Sequence, residues 1–419
     1  MSANTIHFGE ILDGAEVLDE VLVSVFKAPH SYSGEDSLEI SYHASPYIQK
    51  RILELLIENG AKLAGPGEFT QRAFLNGKMD LAQAEAVADL IASENRASHR
   101  IALNQMRGGF SKELATLRKE LLHFTSMIEL ELDFSEEDVE FANRDALKNL
   151  VLKMSDKTNR LILSFKSGNV IKNGVPVAII GKPNVGKSSL LNRLLNEDKS
   201  IVSELPGTTR DSIEDTVRIG EITFRFIDTA GIRETADIIE NLGIRRTYQK
   251  IEQASIILLI ADATDETEII AGSFLEIRKQ IAKQDKQLVL VINKSDLASK
   301  SRSDELKEML NLEENEYLVE ISAKNVVNID TLELVLIDAS KLGNLDKDAV
   351  VISNIRHYES LRRASENLER VKEGLTTNLP SDLLAQDLRQ VIYYLGQITG
   401  EISADEVLGN IFRNFCIGK

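Results

Sequence analysis

Near the middle of the chain an apolar run, Pro176-Val177-Ala178-Ile179-Ile180, gives way to Gly181-Lys182-Pro183-Asn184-Val185-Gly186-Lys187-Ser188. Ser189-Leu190-Leu191-Asn192-Arg193-Leu194-Leu195 follows directly. The middle segment fits Gly-x-x-x-x-Gly-Lys-Ser/Thr, and its neighbours make the fit informative. The run before it reads as a short buried strand, the run after it as an opening helix. A glycine loop between them aims backbone N–H groups and the positive end of a helix dipole at one anion. In that frame Lys187 reaches terminal phosphates and the Ser188 hydroxyl faces Mg²⁺. An ordinary glycine turn would account for the glycines but not for the strand and helix around them.

Further pieces of a nucleotide site follow in order. Thr208-Thr209-Arg210-Asp211 comes after Pro206-Gly207, where a threonine hydroxyl can complete the Mg²⁺ shell. Ile222 to Ile227 reads as a strand ending at Asp228-Thr229-Ala230-Gly231. Its Asp can hold a metal-bound water, and its glycine N–H can touch a γ-phosphate. Leu288 to Ile292 is another apolar strand, ending in Asn293-Lys294-Ser295-Asp296. Asp296 can accept hydrogen bonds from both the ring N–H and the amino group of guanine, which adenine does not offer in that arrangement. Such pairing discriminates by roughly four orders of magnitude. Ser322-Ala323-Lys324, after the expected strand Tyr317 to Ile321, completes the base pocket. The series implies a guanine-nucleotide GTPase with GTP as substrate. Ile232 then stands where Ras-like switches carry a water-orienting glutamine, and an isoleucine cannot orient a water. Either hydrolysis is feeble or another group does this, and the loop Glu234 to Asn241 offers Glu234, Asp237 and Glu240.

Around this block the texture changes. Residues up to about Asn76 look α+β, with strands expected over Glu20 to Lys27 and Ser37 to His43 and a turn at Pro29 to Gly34. A helix there has Ser45 as N-cap, Pro46 at its first position and Gly60 past its end. Met79 to Gly168 reads as helical, with an apolar stripe Leu114, Leu117, Leu121, Phe124 and Ile128. The acidic run Asp133 to Glu140 reads as a solvated helix start capped by Ser135 and Asp138, more simply than as a metal site. Past Leu342 two more stripes appear: Ile355, Tyr358, Leu361, Leu368, Val371, Leu375, then Leu384, Leu388, Val391, Ile392, Leu395 up to Gly400. A capping pattern at Ser403 and Glu406 opens a last short helix. The expected fold is therefore multidomain: an α/β P-loop GTPase domain inserted into an all-α helical domain, with a small α+β N-terminal domain. The boundaries fall at 1–76, 77–169, 170–345 and 346–419.

Composition narrows the partners. The 419 residues carry a net charge of −17, which disfavours wholesale electrostatic binding to nucleic acid. Local basic groups remain at Arg245-Arg246 with Lys250 and at Arg356 with Arg362-Arg363, both read as solvated helix faces. A single cysteine excludes an internal disulfide framework and fits a reducing, cytoplasmic setting. No run is long and apolar enough to span a bilayer, so no membrane partner is expected.

The segments Gly65-Pro66-Gly67-Glu68-Phe69-Thr70, Arg72 to Leu81 and Gln83-Ala84-Glu85-Ala86 carry a more specific resemblance. With the P-loop, Gly207 to Asp211 and the tail Phe415-Cys416-Ile417-Gly418-Lys419, they make the chain resemble the MnmE (TrmE) family of bacterial tRNA-modification GTPases over nearly its whole length. The chain reads as starting after that family's usual leading segment, at a second strand region. The resemblance implies a tetrahydrofolate-binding, dimerising N-terminal domain, hence a homodimer. It also implies a flavoprotein partner, MnmG, in a heterotetramer. The pair would add an aminomethyl or carboxymethylaminomethyl group to carbon 5 of the wobble uridine of certain tRNAs. GTP hydrolysis in that family is activated by K⁺. Asn184, Ser203, Leu205 and Thr208 match the K⁺-holding positions, in the loop Ser203-Glu204-Leu205-Pro206-Gly207-Thr208. Mg²⁺ ligation maps to Ser188 and Thr209, and the water-positioning glutamate to Glu240. The tetrahydrofolate derivative maps to Glu39, Lys78 and Lys419, and the functional cysteine to Cys416. Taken without the family, Glu39 and Lys78 read as a surface ion pair and Cys416 as a buried thiol. A ribosome-assembly GTPase of the Era/Der type, or a nucleotide-binding scaffold without tRNA-modifying activity, are the alternative functions.

Overall fold

A computed structural model describes residues 4–93, 95–133, 143–197, 215–227, 250–282, 284–298, 303–342, 351–377, 379–402, 411 and 415. The chain forms two compact units: one from 1–93, 99–163 and 355–419, the other from 94–98 and 164–354. Among the described residues no helix is long and apolar enough to cross a membrane.

The first unit opens with an antiparallel meander, β1 (Thr5–Asp13), β2 (Glu16–Phe26) and β3 (Ser37–Ser41). Gly14, at φ +64°, turns β1 into β2. The expected strands at 20–27 and 37–43 are β2 and β3 with shifted ends, whereas β1 is a strand that hydropathy does not announce. Its outward residues include Ile6 and Phe8, 68% and 71% exposed, and its half-buried positions include Thr5, His7 and Gly9. The large apolar side chains stand on the face away from this unit's core, so no buried alternation forms. α1 (Pro46–Glu58) has the expected Pro46 start and ends before Gly60 at φ +95°, but Ser45 makes no side-chain capping bond.

The helices follow: α2 (Glu68–Leu75), α3 (Leu81–Ile91), α4 (Arg96–Met106), α5 (Gly109–Asp133) and α6 (Arg144–Asn173). On α5 the expected stripe is buried at Leu114, Leu117, Leu121 and Ile128. Helices α11 (Ile355–Thr377) and α12 (Ser381–Thr399) return after the sheet unit, and α12 packs on both α5 and α11. Leu384, Leu388, Val391, Ile392 and Leu395 of α12 are buried as expected, and Gly400 ends it at φ +82°. The α11 stripe needs correcting. Ile355 is exposed, and the buried face runs through His357, Leu361, Ala364, Leu368 and Val371. The buried histidine of that face meets a carboxylate, Glu85, at 2.7 Å.

In the second unit a six-stranded sheet has the order β5-β6-β4-β7-β8-β9. The strands are β4 (Val175–Ile180), β5 (Asp215–Ile219), β6 (Ile222–Phe226), β7 (Ile256–Asp262), β8 (Gln287–Asn293) and β9 (Glu316–Glu320). All neighbours are parallel except β5 on β6. Strands buried on both faces need continuous apolar sequence, and β7 supplies it. Ile256, Leu258 and Ile260 face one core with α7 (Lys187–Glu197) and α10 (Ile329–Ala339). Ile257 and Leu259 face the other with α8 (Thr267–Ile281) and α9 (Ser303–Leu310). The architecture is thus an α/β P-loop domain inserted into a helical domain, preceded by a small α+β domain.

Candidate nucleotide site

The sheet unit positions its polar groups where the parallel strands end. β4 runs into residues 181–186 and α7 begins at Lys187. Two glycines of this loop are dictated by close approach. A β-carbon on Gly181 (φ +147°) would lie 2.3 Å from the carbonyl oxygen of Ile260, and one on Gly186 (φ +96°) 2.2 Å from Asn293 Nδ2. Asn184 holds a left-handed conformation at φ +62°, which asparagine tolerates better than most residues.

Asn293 is the centre of the arrangement. It is 3% exposed. Its Nδ2 donates to the carbonyl of Val185 at 2.8 Å, and its Oδ1 accepts from the backbone N–H of Ala323 at 3.0 Å. One side-chain amide therefore fastens the phosphate loop to the Ser322-Ala323-Lys324 loop. The latter is closed by paired backbone bonds between Ser322 and Val327, both 3.1 Å. Asp296 is exposed on the 3-10 turn Ser295–Leu297, after Lys294 at φ +64°. Lys324 is exposed and Ser322 fully buried.

Lysines complete the electrostatics. Lys187 Nζ donates to the carbonyls of Gly181 and Lys182 at 2.8 and 2.6 Å. Burial, with Lys250 adding like charge, holds its pKa below the usual lysine range. Lys294 pairs with Asp262 at 2.5 Å, at the carboxyl end of β7. Burial pushes the Asp262 carboxyl up, but Lys294 and the N–H and hydroxyl of Thr264 bring it below its ordinary value. Asp262 carries no motif signal, yet its place at a strand end beside the Asn293 run marks it afterwards. The same holds for Lys286, whose ammonium donates to the carbonyls of Ile251, Glu252 and Ala254. It caps the helical turn at 250–253, and burial lowers its pKa.

Several expected residues lie outside those described: Ser203, Glu204, Leu205, Pro206, Gly207, Thr208, Thr209, Asp228, Thr229, Ala230, Gly231, Glu240, Cys416 and Lys419. Arg245 and Arg246, the acidic run after Asp133 and the Ser403 cap do as well. Ser188 and Ser189 open α7. β6 stays paired to its end, Ile227 N–H donating to Val177 at 3.0 Å, which delivers the chain to Asp228. In the first unit Lys78 Nζ donates to the carbonyl of Pro29 at 2.7 Å rather than pairing with Glu39, which is exposed on β3.

Arg356 corrects another expectation. It is not part of a solvated basic face but enters the interior of the first unit, where its guanidinium meets Glu85 at 2.9 and 2.8 Å. His357, 1% exposed, meets the same carboxylate at 2.7 Å. Burial alone would push Glu85 up, but His357 and Arg356 outweigh it and hold the carboxyl at about 2. No spacing rule links residues so far apart in sequence.

Two family models divide the chain between them. Residues 1–78 match the GTP-binding protein TrmE N-terminus, and residues 81–416 match the MnmE helical domain. The chain belongs to the MnmE family. Its relatives include a protein from Bacteroides thetaiotaomicron named tRNA modification GTPase MnmE, 56% identical over 417 residues, 99% of this chain and 89% of that one. A MnmE of the same description from Flavobacterium psychrophilum is 53% identical over 420 residues, 100% of this chain and 89% of its own. Among solved structures, Aquifex aeolicus Era bound to GDP and AlF4⁻ is 30% identical, covers 46% of this chain and 66% of that one, and gives a TM-score of 0.31.

Proposed function

We infer that this chain is a GTPase that modifies tRNA, in which the sheet unit binds GTP and the other unit serves the modification chemistry. The observation that carries the GTP reading is the Asn293 amide, which makes the phosphate loop and the Ser322-to-Lys324 loop one rigid receptor. Asp296, on the turn that follows, reads the guanine edge. Lys187 already lies over the phosphate loop, bonded to its carbonyls, and exchanging those for phosphate oxygens places its charge on the leaving group. Glu240 takes the water-orienting task that Ile232 cannot. Ser188 and Thr209 would hold Mg²⁺, and Asn184, Ser203, Leu205 and Thr208 would hold K⁺; both cations would supply positive charge beside the phosphate oxygens.

The remaining assignments rest on family membership. Glu39, Lys78 and Lys419 hold a tetrahydrofolate derivative, and Cys416 is the functional cysteine. A flavoprotein of the MnmG type joins two copies of this chain to modify carbon 5 of a wobble uridine. The exposed apolar residues Ile6, Phe8, Leu12 and Leu22 of the N-terminal sheet support self-association.

GTP turnover in KCl against NaCl tests the cation assignment, and equal rates remove it. Glu240→Ala should bind GTP as the parent does and turn it over far more slowly. Nucleoside mass spectrometry of tRNA from a deletion strain tests the modification, and an unchanged wobble-uridine profile would reject it.

A further inference from the structure

The sheet unit has a second polar end. Strands β4, β7 and β8 run parallel, so their starts lie together at the end of the sheet opposite the phosphate loop. The six residues of β4 separate the two ends, about 20 Å of extended chain. Backbone groups at these starts are tied off: the Ser255 N–H donates to the carbonyl of Pro176 and the Gln287 N–H to that of Ser255, both at 2.9 Å. Beside them, against the end of α10 and the last turns of α6, lies a cavity of about 200 Å³.

Its walls are of two kinds. Val170, Val175 and Leu342 line it and belong to, or pack on, the apolar core that α10 covers. Gln287 stands on the same face of β8 as Val289 and Val291 of that core, so its side chain continues the core to the cavity it lines. Gln287 is 4% exposed, and its Oε1 is buried with no hydrogen-bond partner. A buried acceptor that has given up water without gaining a donor is costly, and native folds leave few of them. At the rim the charges do not balance. Lys166 forms an ion pair with Asp285, and Lys341, held at φ +54°, adds positive charge near the same carboxylate. Two ammonium groups thus share one carboxylate, and all three residues border the cavity.

We propose that this cavity binds a small organic anion, one ring in size, with a hydroxyl or amino donor at the end opposite its charge. The donor meets Gln287 Oε1, the ring lies against Val170, Val175 and Leu342, and the anionic group takes the surplus charge of Lys341. Volume sets the size. An apolar cavity of about 150 Å³ accepts benzene, so this one holds a single substituted ring and is too small for a nucleotide. Water alone is a poor occupant, because a buried water needs about three polar partners and the apolar walls supply none. The site is separate from the one that takes GTP, and its occupation does not depend on the function inferred above.

The probe is 4-hydroxybenzoate, which has both ends; benzoate lacks the donor and phenol lacks the anion. Binding of each to the full chain is measured by saturation-transfer NMR titration, with and without a GTP analogue. The parent should bind 4-hydroxybenzoate about tenfold more tightly than benzoate or phenol, and the analogue should leave that affinity unchanged. Gln287→Met keeps the volume and removes the acceptor, so it should erase the advantage over benzoate. Since it deletes an unpartnered buried atom, it should fold at least as well as the parent. Lys341→Gln, at the exposed rim, should erase the advantage over phenol. Absence of 4-hydroxybenzoate binding at millimolar concentration overturns the proposal, as does a parent-like preference that survives in either variant. Displacement of the probe by the GTP analogue also overturns it, because the probe would then occupy the nucleotide site.

Discussion

The sheet unit keeps its charged and polar groups at the ends of strands that are apolar from end to end, whereas the helical unit buries charge between helices. Asn293, Lys294 and Asp262 terminate β8 and β7, where the main chain runs out of sheet partners and polar side chains can serve it. Glu85 and His357 sit mid-interior, and each is tolerable only because the other unit-one helices bring it a partner. The difference is in what failure costs. A strand-end group that is lost leaves a loop loose, but a buried carboxylate that is lost leaves a guanidinium with no counter-charge in a low dielectric.

The largest effect should therefore come from the helical unit. Glu85→Ala leaves Arg356 and His357 without their anion, and should destabilise that unit by about 3–5 kcal/mol. In calorimetry the transition that a GTP analogue does not shift should move down. An effect below about 1 kcal/mol would break the comparison. The pH dependence follows from the same group. The carboxyl is held at about 2 in the fold against 4.5 without it, so its contribution is complete above pH 4.5 and is lost as pH falls toward 2. On the order of 3 kcal/mol should go across that window, and Glu85→Gln should remove that slope.

In the sheet unit the strongest test is Gly186→Ala. The added β-carbon would meet Asn293 Nδ2 and force a left-handed alanine. GTP affinity should fall by about a hundredfold or more by calorimetry, with the helical unit's transition unmoved. Lys286→Met comes next. It leaves the carbonyls of Ile251, Glu252 and Ala254 without their shared donor, at a cost of about 2 kcal/mol in the transition that the nucleotide does shift. A null result would mean that the turn at 250–253 does not need its cap.

The same contrast explains what could be read in advance. The phosphate loop, the Asn293-to-Asp296 run and the apolar strands β4, β7 and β8 are local patterns whose meaning does not depend on distant residues. The α5 and α12 stripes are legible for the same reason. The strand β1 is not, because Ile6 and Phe8 stand on the exposed face. Arg356 is misread as surface because its partner lies some 270 positions earlier, and helical periodicity places a side chain on a face without saying what that face meets. Asp262 and Lys286 escape notice for a related reason: a lone charged residue beside a strand is ordinary until its acceptors are known.

The smallest effects separate two helix starts. Ser45 has the residue type of an N-cap, but its side chain makes no capping bond, so Ser45→Ala should change stability by no more than a few tenths of a kcal/mol. Asp80 completes a capping box on α3, its carboxylate accepting from the Gln83 N–H at 2.8 Å while Gln83 Oε1 accepts from the backbone N–H of Asp80 at 3.0 Å. Burial raises the Asp80 carboxyl above its ordinary value, so the fold disfavours its charged form and this part of its contribution declines as pH rises through that range. Asparagine keeps the accepting oxygen without the charge. Asp80→Ala should therefore cost about 1 kcal/mol at neutral pH, while Asp80→Asn should be neutral or slightly stabilising. Thermal melts of the three variants at pH 7 and pH 4 decide it: the gap between Asp80→Asn and the parent should close at the lower pH. An Asp80→Asn loss equal to that of alanine would mean that the carboxylate's charge, and not its geometry, starts α3.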